Sequence, residues 1–169
     1  MAGAKTVQIR PLTESDAAAC VEVARSIPAW FSYPGALEII GESASTQRGF
    51  VAVEHDEVCG FVTLRPALPD YPQFSETVEI TYLAVAGDRR RSGIGQQLLR
   101  AAARLGLAQG ARALCLLTLG PSSQSPDYAE TVAFYRSQGL WCTKELRISE
   151  WGGATALVMS APIEVLTGG

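Results

Sequence analysis

The sequence predicts a single α+β domain over residues 1–169, with a mixed, largely antiparallel sheet of about six to seven strands flanked by about four helices. Three observations predict it. Strand-like and helix-like segments follow one another in the order β-α-α-β-β-β-α-β-α-β-β. Neighbouring strand segments near both ends are joined by short polar or glycine-containing stretches, as antiparallel hairpins are. A lone β-α-β crossover lies between them, which sets this sheet apart from a doubly wound nucleotide-binding fold.

Val7 to Leu12 reads as the first strand, and Thr13 ahead of Glu14, Ser15 and Asp16 is a helix-start pattern in which a hydroxyl caps free N–H groups. Ala17, Cys20, Val21 and Ala24 continue at helical spacing, and a second helix is expected from about Pro34 to Ser43. Phe50–Val53 and Val58–Leu64 flank the polar Glu54-His55-Asp56-Glu57, which marks a hairpin. A proline-rich loop (Pro66, Pro69, Pro72) leads to a strand over Thr77–Val85, broken by Gly87 and Asp88. The next helix starts around Ser92 or Gly93, its apolar face formed by Ile94, Leu98, Ala101, Ala102 and Leu105. Ala113–Leu119 is continuously apolar and is expected to be covered on both faces. A helix over about Tyr128 to Gln138 is closed by Gly139 as a left-handed cap, and the last strands lie near Leu140–Ile148 and Thr155–Ser160, joined through Trp151-Gly152-Gly153.

A 47% hydrophobic composition with 18% charged residues argues against disorder. The net charge of −3 argues against a nucleic-acid partner. That charge is uneven: the stretch from Asp88 to Arg112 holds six arginines and one acid, leaving −8 for everything else. Cys20, Cys59, Cys115 and Cys142 form no C-x-x-C pair, and with His55 as the one histidine no familiar zinc spacing arises, so no metal is expected. The cysteines read as buried reduced thiols, and His55 as a surface-turn residue. The N-terminal segment lacks the apolar run of a secretory signal, and Ala113–Leu119 is too short to span a bilayer. The expectation is a cytoplasmic protein with no membrane partner.

Arg89-Arg90-Arg91-Ser92-Gly93-Ile94-Gly95, between a strand and a helix, is the sharpest local signal. Helix N-termini carry unpaired N–H groups and partial positive charge, glycines admit a close anion, and arginines add charge-assisted hydrogen bonds. Leu98 stands where a dinucleotide fingerprint wants glycine, and no Gly-Lys-Ser/Thr of a P-loop is present. In isolation, the turn is equally compatible with solvated arginines.

Arg90-Arg91-Ser92-Gly93-Ile94-Gly95 resembles the Gln/Arg-x-x-Gly-x-Gly/Ala pyrophosphate signature of the GNAT superfamily of acetyl-CoA-dependent N-acetyltransferases. Glu79 to Val85 is similar to that family's fourth strand, and Thr131 to Leu140 to its Ala-x-x-x-Tyr-x-x-x-Gly-Phe helix ending. Tyr128 stands where the family's helix often has Asn, and Leu140 where it usually has Phe. Ile27–Phe31, Thr118–Ser122 and Trp151-Gly152 resemble a bacterial subgroup of the family, which supplies no substrate.

The resemblance implies a GNAT-type fold with a splay between the fourth and fifth strands, and acetyl-CoA as co-substrate without a metal. Arg90, Arg91, Ser92, Gly93, Ile94 and Gly95 would bind the pyrophosphate, while backbone groups of Leu83, Ala84 and Val85 would pair with the cofactor and stabilise an oxyanion. Glu79 matches a general base, its alternative being a strand residue facing solvent or pairing with a neighbouring strand. Tyr135 matches the family's acid, its alternative being an aromatic packed under a helix end. Trp30, Phe31 and Tyr33 wall an acceptor pocket or else anchor the first helices. Tyr128, Asp127 and Trp151 border the acceptor or pack loops.

The expected function is transfer of an acetyl group to a primary amine of a small molecule or protein. The alternatives are a non-catalytic acetyl-CoA-binding sensor and a phosphate- or nucleotide-binding regulatory domain. The acidic remainder of the chain suits a cationic acceptor. A homodimer is the expected assembly, by base rate alone.

Overall fold

A computed structural model describes residues 6–67, 76–147 and 154–168. The strands are β1 (Gln8–Pro11), β2 (Arg48–Glu54), β3 (Glu57–Pro66), β4 (Thr77–Val85), β5 (Ala113–Leu119), β6 (Trp141–Arg147) and β7 (Thr155–Pro162). The helices are α1 (Ala17–Arg25), α2 (Ala36–Thr46), α3 (Ile94–Ala108), α4 (Pro126–Ser137) and α5 (Ile163–Thr167). The sheet order is β1-β2-β3-β4-β5-β7-β6. β4 and β5 pair in parallel, whereas β1–β2, β2–β3, β5–β7 and β6–β7 are antiparallel. The proline-rich segment at Pro69 and Pro72 and the Trp151-Gly152-Gly153 connection lie outside the described residues.

The chain divides into two compact units, Met1–Arg65 with Thr81–Ala102 and Pro66–Ile80 with Ala103–Gly169. In the first, Cys20, Val23, Ala24 and Ile27 join Ile40 and Ala44 of α2 over Val51, Phe61 and Ala84. Phe61 serves that core, while its neighbour Gly60 serves the opposite face. A Cβ at Gly60 would lie 3.2 Å from Leu98 Cδ1 and 3.3 Å from Ile94 Cγ2, so α3 seats where β3 has no side chain. Coverage on both faces explains the unbroken burial of β3 from Cys59 to Leu64.

Charge fastens the start of this unit. Arg10 grips Asp16 with two hydrogen bonds of 2.8 and 2.7 Å. The Thr13 N–H and hydroxyl also donate to the carboxylate. Thr13 and Asp16 thereby form a reciprocal capping box at the helix start expected from sequence. Arg10, foremost among these partners, holds the Asp16 carboxyl well below the usual carboxylate range.

In the second unit, β5 pairs along its whole length with β7. Its burial alternates: Leu114, Leu116 and Thr118 are buried, and the other face is half-exposed. The expectation of full coverage on both faces is corrected accordingly. The apolar run reflects β propensity as well as burial. α3 packs closely here too, since a Cβ at Gly106 would come within 2.7 Å of Val78 Cγ1 and 2.9 Å of Ile163 Cδ1.

Other boundaries differ from expectation for local reasons. Glu54 belongs to β2 and is buried, leaving His55 (φ 52°) and Asp56 (φ 64°) to form the tight turn. Gly35, at φ 77°, caps α2, which begins at Ala36 and runs to Thr46. The five-residue α5 was not anticipated, because so short a helix has little periodicity to show.

α4 ends in paired reverse bonds. The Leu140 N–H donates to the Tyr135 carbonyl at 3.1 Å, and the Gly139 N–H to the Arg136 carbonyl at 3.0 Å. This Schellman closure requires a left-handed residue, and Gly139 supplies φ 97°. A Cβ at Gly139 would also sit 2.8 Å from Val165 Cγ1. Gly139→Ala should therefore lose about 1–3 kcal/mol of stability, visible as a lower midpoint in thermal denaturation. An unchanged midpoint would contradict this closure.

Candidate active site

The segment linking β4 to α3 is built around two left-handed residues, Arg91 (φ 60°) and Gly93 (φ 84°). The Gln97 N–H donates to the Gly93 carbonyl at 3.1 Å, so the preceding amides of Gly93, Ile94 and Gly95 belong to the helix's open, electropositive end. A Cβ at Gly93 would meet nothing within 4 Å, leaving open space over this backbone. Ile94 is 1% exposed and anchors the helix, so its amide rather than its side chain is available to a ligand. The Ser92 hydroxyl donates to the Arg89 carbonyl at 2.5 Å, closing the turn. Alternating backbone conformations that converge N–H groups at a helix start form an anion cradle. A pyrophosphate fits its charge and its open glycine.

The three consecutive arginines have different surroundings. Arg89 Nε donates to Glu54 Oε2 at 2.6 Å and its Nη1 to Asp88. Only 5% of the Glu54 side chain is exposed, and the hydrogen bond to it foremost raises the Arg89 pKa above its ordinary value. Arg89 is thus bound up in neutralising a buried carboxylate. Arg90 is exposed, with its guanidinium carbon 4.2 Å from the centre of the Trp30 ring. Arg91, also exposed, carries the first left-handed backbone of the turn.

In the first unit, Trp30 and Phe31 pack onto the core over α1 and α2. Phe31 meets Tyr82 edge-on at 6.1 Å, and the Tyr33 and Tyr82 hydroxyls lie 3.3 Å apart. Burial foremost pushes the Tyr82 phenol up, with Tyr33 adding to the effect. Trp30 and Phe31 are partly buried against this core, while Tyr33 is 44% exposed. Tyr82 joins this cluster without having been singled out from sequence. Its place beside Leu83 in the strand was the available signal.

The β4–β5 ladder pairs Thr77 with Ala113 through Ile80 with Leu116 and stops there. Leu83, Ala84 and Val85 lie beyond its end, in accord with the expected splay. Ala84 is buried in the first unit, and its two neighbours are half-buried.

Glu79 and Tyr135 belong to the second unit. Glu79 is 4% exposed and opposes Cys115 in the ladder, which removes the solvent-facing alternative. Tyr135 is 6% exposed, its ring tilted against Phe134 at 5.2 Å. Burial alone raises its pKa, so the phenol stays protonated across the physiological range. Tyr128 and Asp127 are half-buried in the first turn of α4, and Tyr128 lies two turns before Tyr135. Trp151 lies outside the described residues.

All four cysteines are free thiols. Cys20 and Cys59 are buried, the Cys20 thiol being pushed up to about 12 chiefly by desolvation. Cys142 is exposed, contrary to the expectation of burial, because β6 is exposed along nearly its whole length. Among the described residues, no group of three or more His, Cys, Asp or Glu is placed to hold a metal. None of the described helices is long and apolar enough to cross a membrane.

Solved structures share this fold. A GNAT-family protein from Desulfovibrio desulfuricans superposes with TM-score 0.79 at 22% identity, covering 94% of this chain and 99% of its own. The ribosomal-protein-S18-alanine N-acetyltransferase from Escherichia coli gives TM-score 0.71 at 18% identity, with 94% of each chain covered. A Salmonella typhimurium protein solved with its cofactor acetyl-CoA gives 0.69 at 17% identity, again with 94% of each covered. No curated protein matches the sequence significantly. The model of the acetyltransferase (GNAT) family matches residues 14–140. That span contains Glu79, the whole glycine turn and Tyr135, and the chain belongs to the GNAT acetyltransferase family.

Proposed function

We propose that residues 1–169 work as one N-acetyltransferase domain that moves an acetyl group from acetyl-CoA to a primary amine of a small molecule or protein. The Arg90–Gly95 turn carries this reading, as an anion cradle at a helix start within the span matched by the family. β4 and α3 each contribute residues to both compact units, which supports a single working domain. Free thiols accord with a reducing cytoplasm, where we assign its action. A homodimer is the proposed assembly, from base rate.

Acetyl-CoA supplies an activated thioester and an anionic handle. Arg90 and Arg91, with the amides of Ser92, Gly93, Ile94 and Gly95, hold its pyrophosphate. Backbone groups of Leu83, Ala84 and Val85 orient the acyl end and offset negative charge on its carbonyl oxygen. Trp30, Phe31 and Tyr128 border the acceptor. At neutral pH only about one alkylamine in 10³ is unprotonated, given a reference pKa near 10.4. Glu79 accepts the surplus proton, directly or through water.

Tyr135 faces a different proton problem. A phenol raised above its ordinary pKa is a weaker acid than a thiol of about 8.5. Net proton release from Tyr135 to sulfur is therefore uphill. Its contribution is a hydrogen bond to the sulfur as charge develops there, with rapid return of any proton shared.

Screening primary amines with acetyl-CoA for free-thiol release tests the reaction, and no amine-dependent release would overturn it. Gly93→Glu should weaken CoA binding by on the order of 10-fold or more, by crowding a left-handed backbone and adding like charge to the cradle. Calorimetry showing unchanged affinity would remove the pyrophosphate assignment. Tyr135→Phe should lower kcat by on the order of 100-fold with CoA affinity nearly intact. Retained turnover would eliminate the proposed hydrogen bond from Tyr135 to the leaving sulfur. Glu79→Gln should slow turnover most near neutral pH and recover as pH approaches the amine pKa of about 10. A pH–rate profile parallel to the wild type would assign the base elsewhere.

A further inference from the structure

We propose that Trp30 is a positioning residue for the cofactor turn, with its indole face holding the Arg90 guanidinium in place for the pyrophosphate. The inference rests on the proposed reading of that turn as the CoA site. Three observations carry it.

First, Arg90 stands over the Trp30 ring at 4.2 Å, within cation–π range. The five N–H donors of a guanidinium lie in its plane, whereas an aromatic ring engages its face. Stacking can therefore orient Arg90 without consuming the donors that a phosphate would use. A long, exposed arginine otherwise loses substantial rotamer freedom on binding, and a stack reduces that loss.

Second, the backbone on either side of this contact is already joined. The Gly87 N–H donates to the Ser26 hydroxyl at 3.3 Å, and a Cβ at Gly87 would lie 3.3 Å from the Ser26 carbonyl oxygen and 3.6 Å from Ile27 Cγ2. The segment after α1 and the segment after β4 therefore run together before Trp30 and Arg90 meet. The Ile27 carbonyl accepts a bond from the Trp30 backbone N–H at 3.2 Å, tying the Trp30 main chain to that junction.

Third, Arg89 is pinned to Glu54. Its neighbour Arg90 meets the Trp30 ring instead, so the two side chains have different partners. Arg89 braces the turn, and Trp30 orients the next side chain. Trp30 thus acts on the cofactor through Arg90.

The test is a double-mutant cycle on the full chain, reading CoA affinity by calorimetry and the acetyl-CoA KM and kcat in parallel. Trp30→Leu should weaken CoA binding about two- to fivefold and raise the acetyl-CoA KM. In an Arg90→Ala background, Trp30→Leu should add no further loss. Trp30→Phe, which keeps an aromatic face, should restore a large part of the affinity. Equal loss in both backgrounds, or no loss in either, would overturn the positioning role. If Trp30→Leu fails to fold, Trp30→Phe in both backgrounds decides the matter, since a smaller loss confined to the Arg90 protein supports the role and an equal loss refutes it. Absence of CoA binding by the wild-type chain would overturn the reading of the turn together with this inference. Normal wild-type binding with background-independent losses would overturn the inference alone.

Discussion

Parallel strands cannot be joined by a tight hairpin, and β4 and β5 are parallel. The chain must leave the end of β4, travel back through α3, and enter β5 from the starting side. This requirement puts the electropositive N-terminus of α3 beside the C-terminal end of β4. Gly60 then allows α3 to approach β3 closely, while Ile94 and Leu98 hold its first turns. The anion cradle follows from topology before any arginine is considered. Glycine and arginine adapt an end that the crossover already supplies.

The arginines divide the remaining work. A buried carboxylate without a partner is costly, and Glu54 is compensated by Arg89. That pair fastens the turn to the end of β2. Arg90 leans on an indole, and Arg91 bends the backbone. A +5 segment in an acidic protein thus contains one internal counter-charge and two exposed cations beside the cradle, with Arg100, Arg104 and Arg112 further along. Charge density alone would have assigned all three turn arginines to one ligand.

Residues that act through short-range chemistry were legible in the sequence. The strand run Thr77–Val85, bounded by glycine and acidic residues, became β4 without adjustment, and Gly139, just after the helical run to Gln138, announced the helix closure beside Tyr135. The glycine turn was legible because its spacing follows from helix-end geometry. Other features depend on tertiary placement. Glu54 sits in a polar tetrapeptide that reads as a turn, and nothing local distinguishes the residue that folds inward. The Arg89–Glu54 and Arg90–Trp30 pairs span long sequence separations. β5 is apolar throughout, yet its two faces differ because burial is set by what packs over each one. The chemical roles proposed for Glu79 and Tyr135 derive from family resemblance, and both side chains are buried.

The alternation of β4 also restricts how the protein can evolve. Glu79 lies between the buried apolar residues Val78 and Ile80, which occupy the opposite side of the strand. One residue inserted between Thr77 and Glu79 would exchange the two sides, moving the carboxylate among the apolar groups and turning aliphatic side chains toward the position we propose for the base. An insertion between Ile80 and Leu83 would spare Glu79 but displace every amide after it. Length changes within β4 therefore carry a double penalty, and viable insertions are expected outside Thr77–Val85. Substrate range can then diversify through the connecting segments while this nine-residue strand keeps its length.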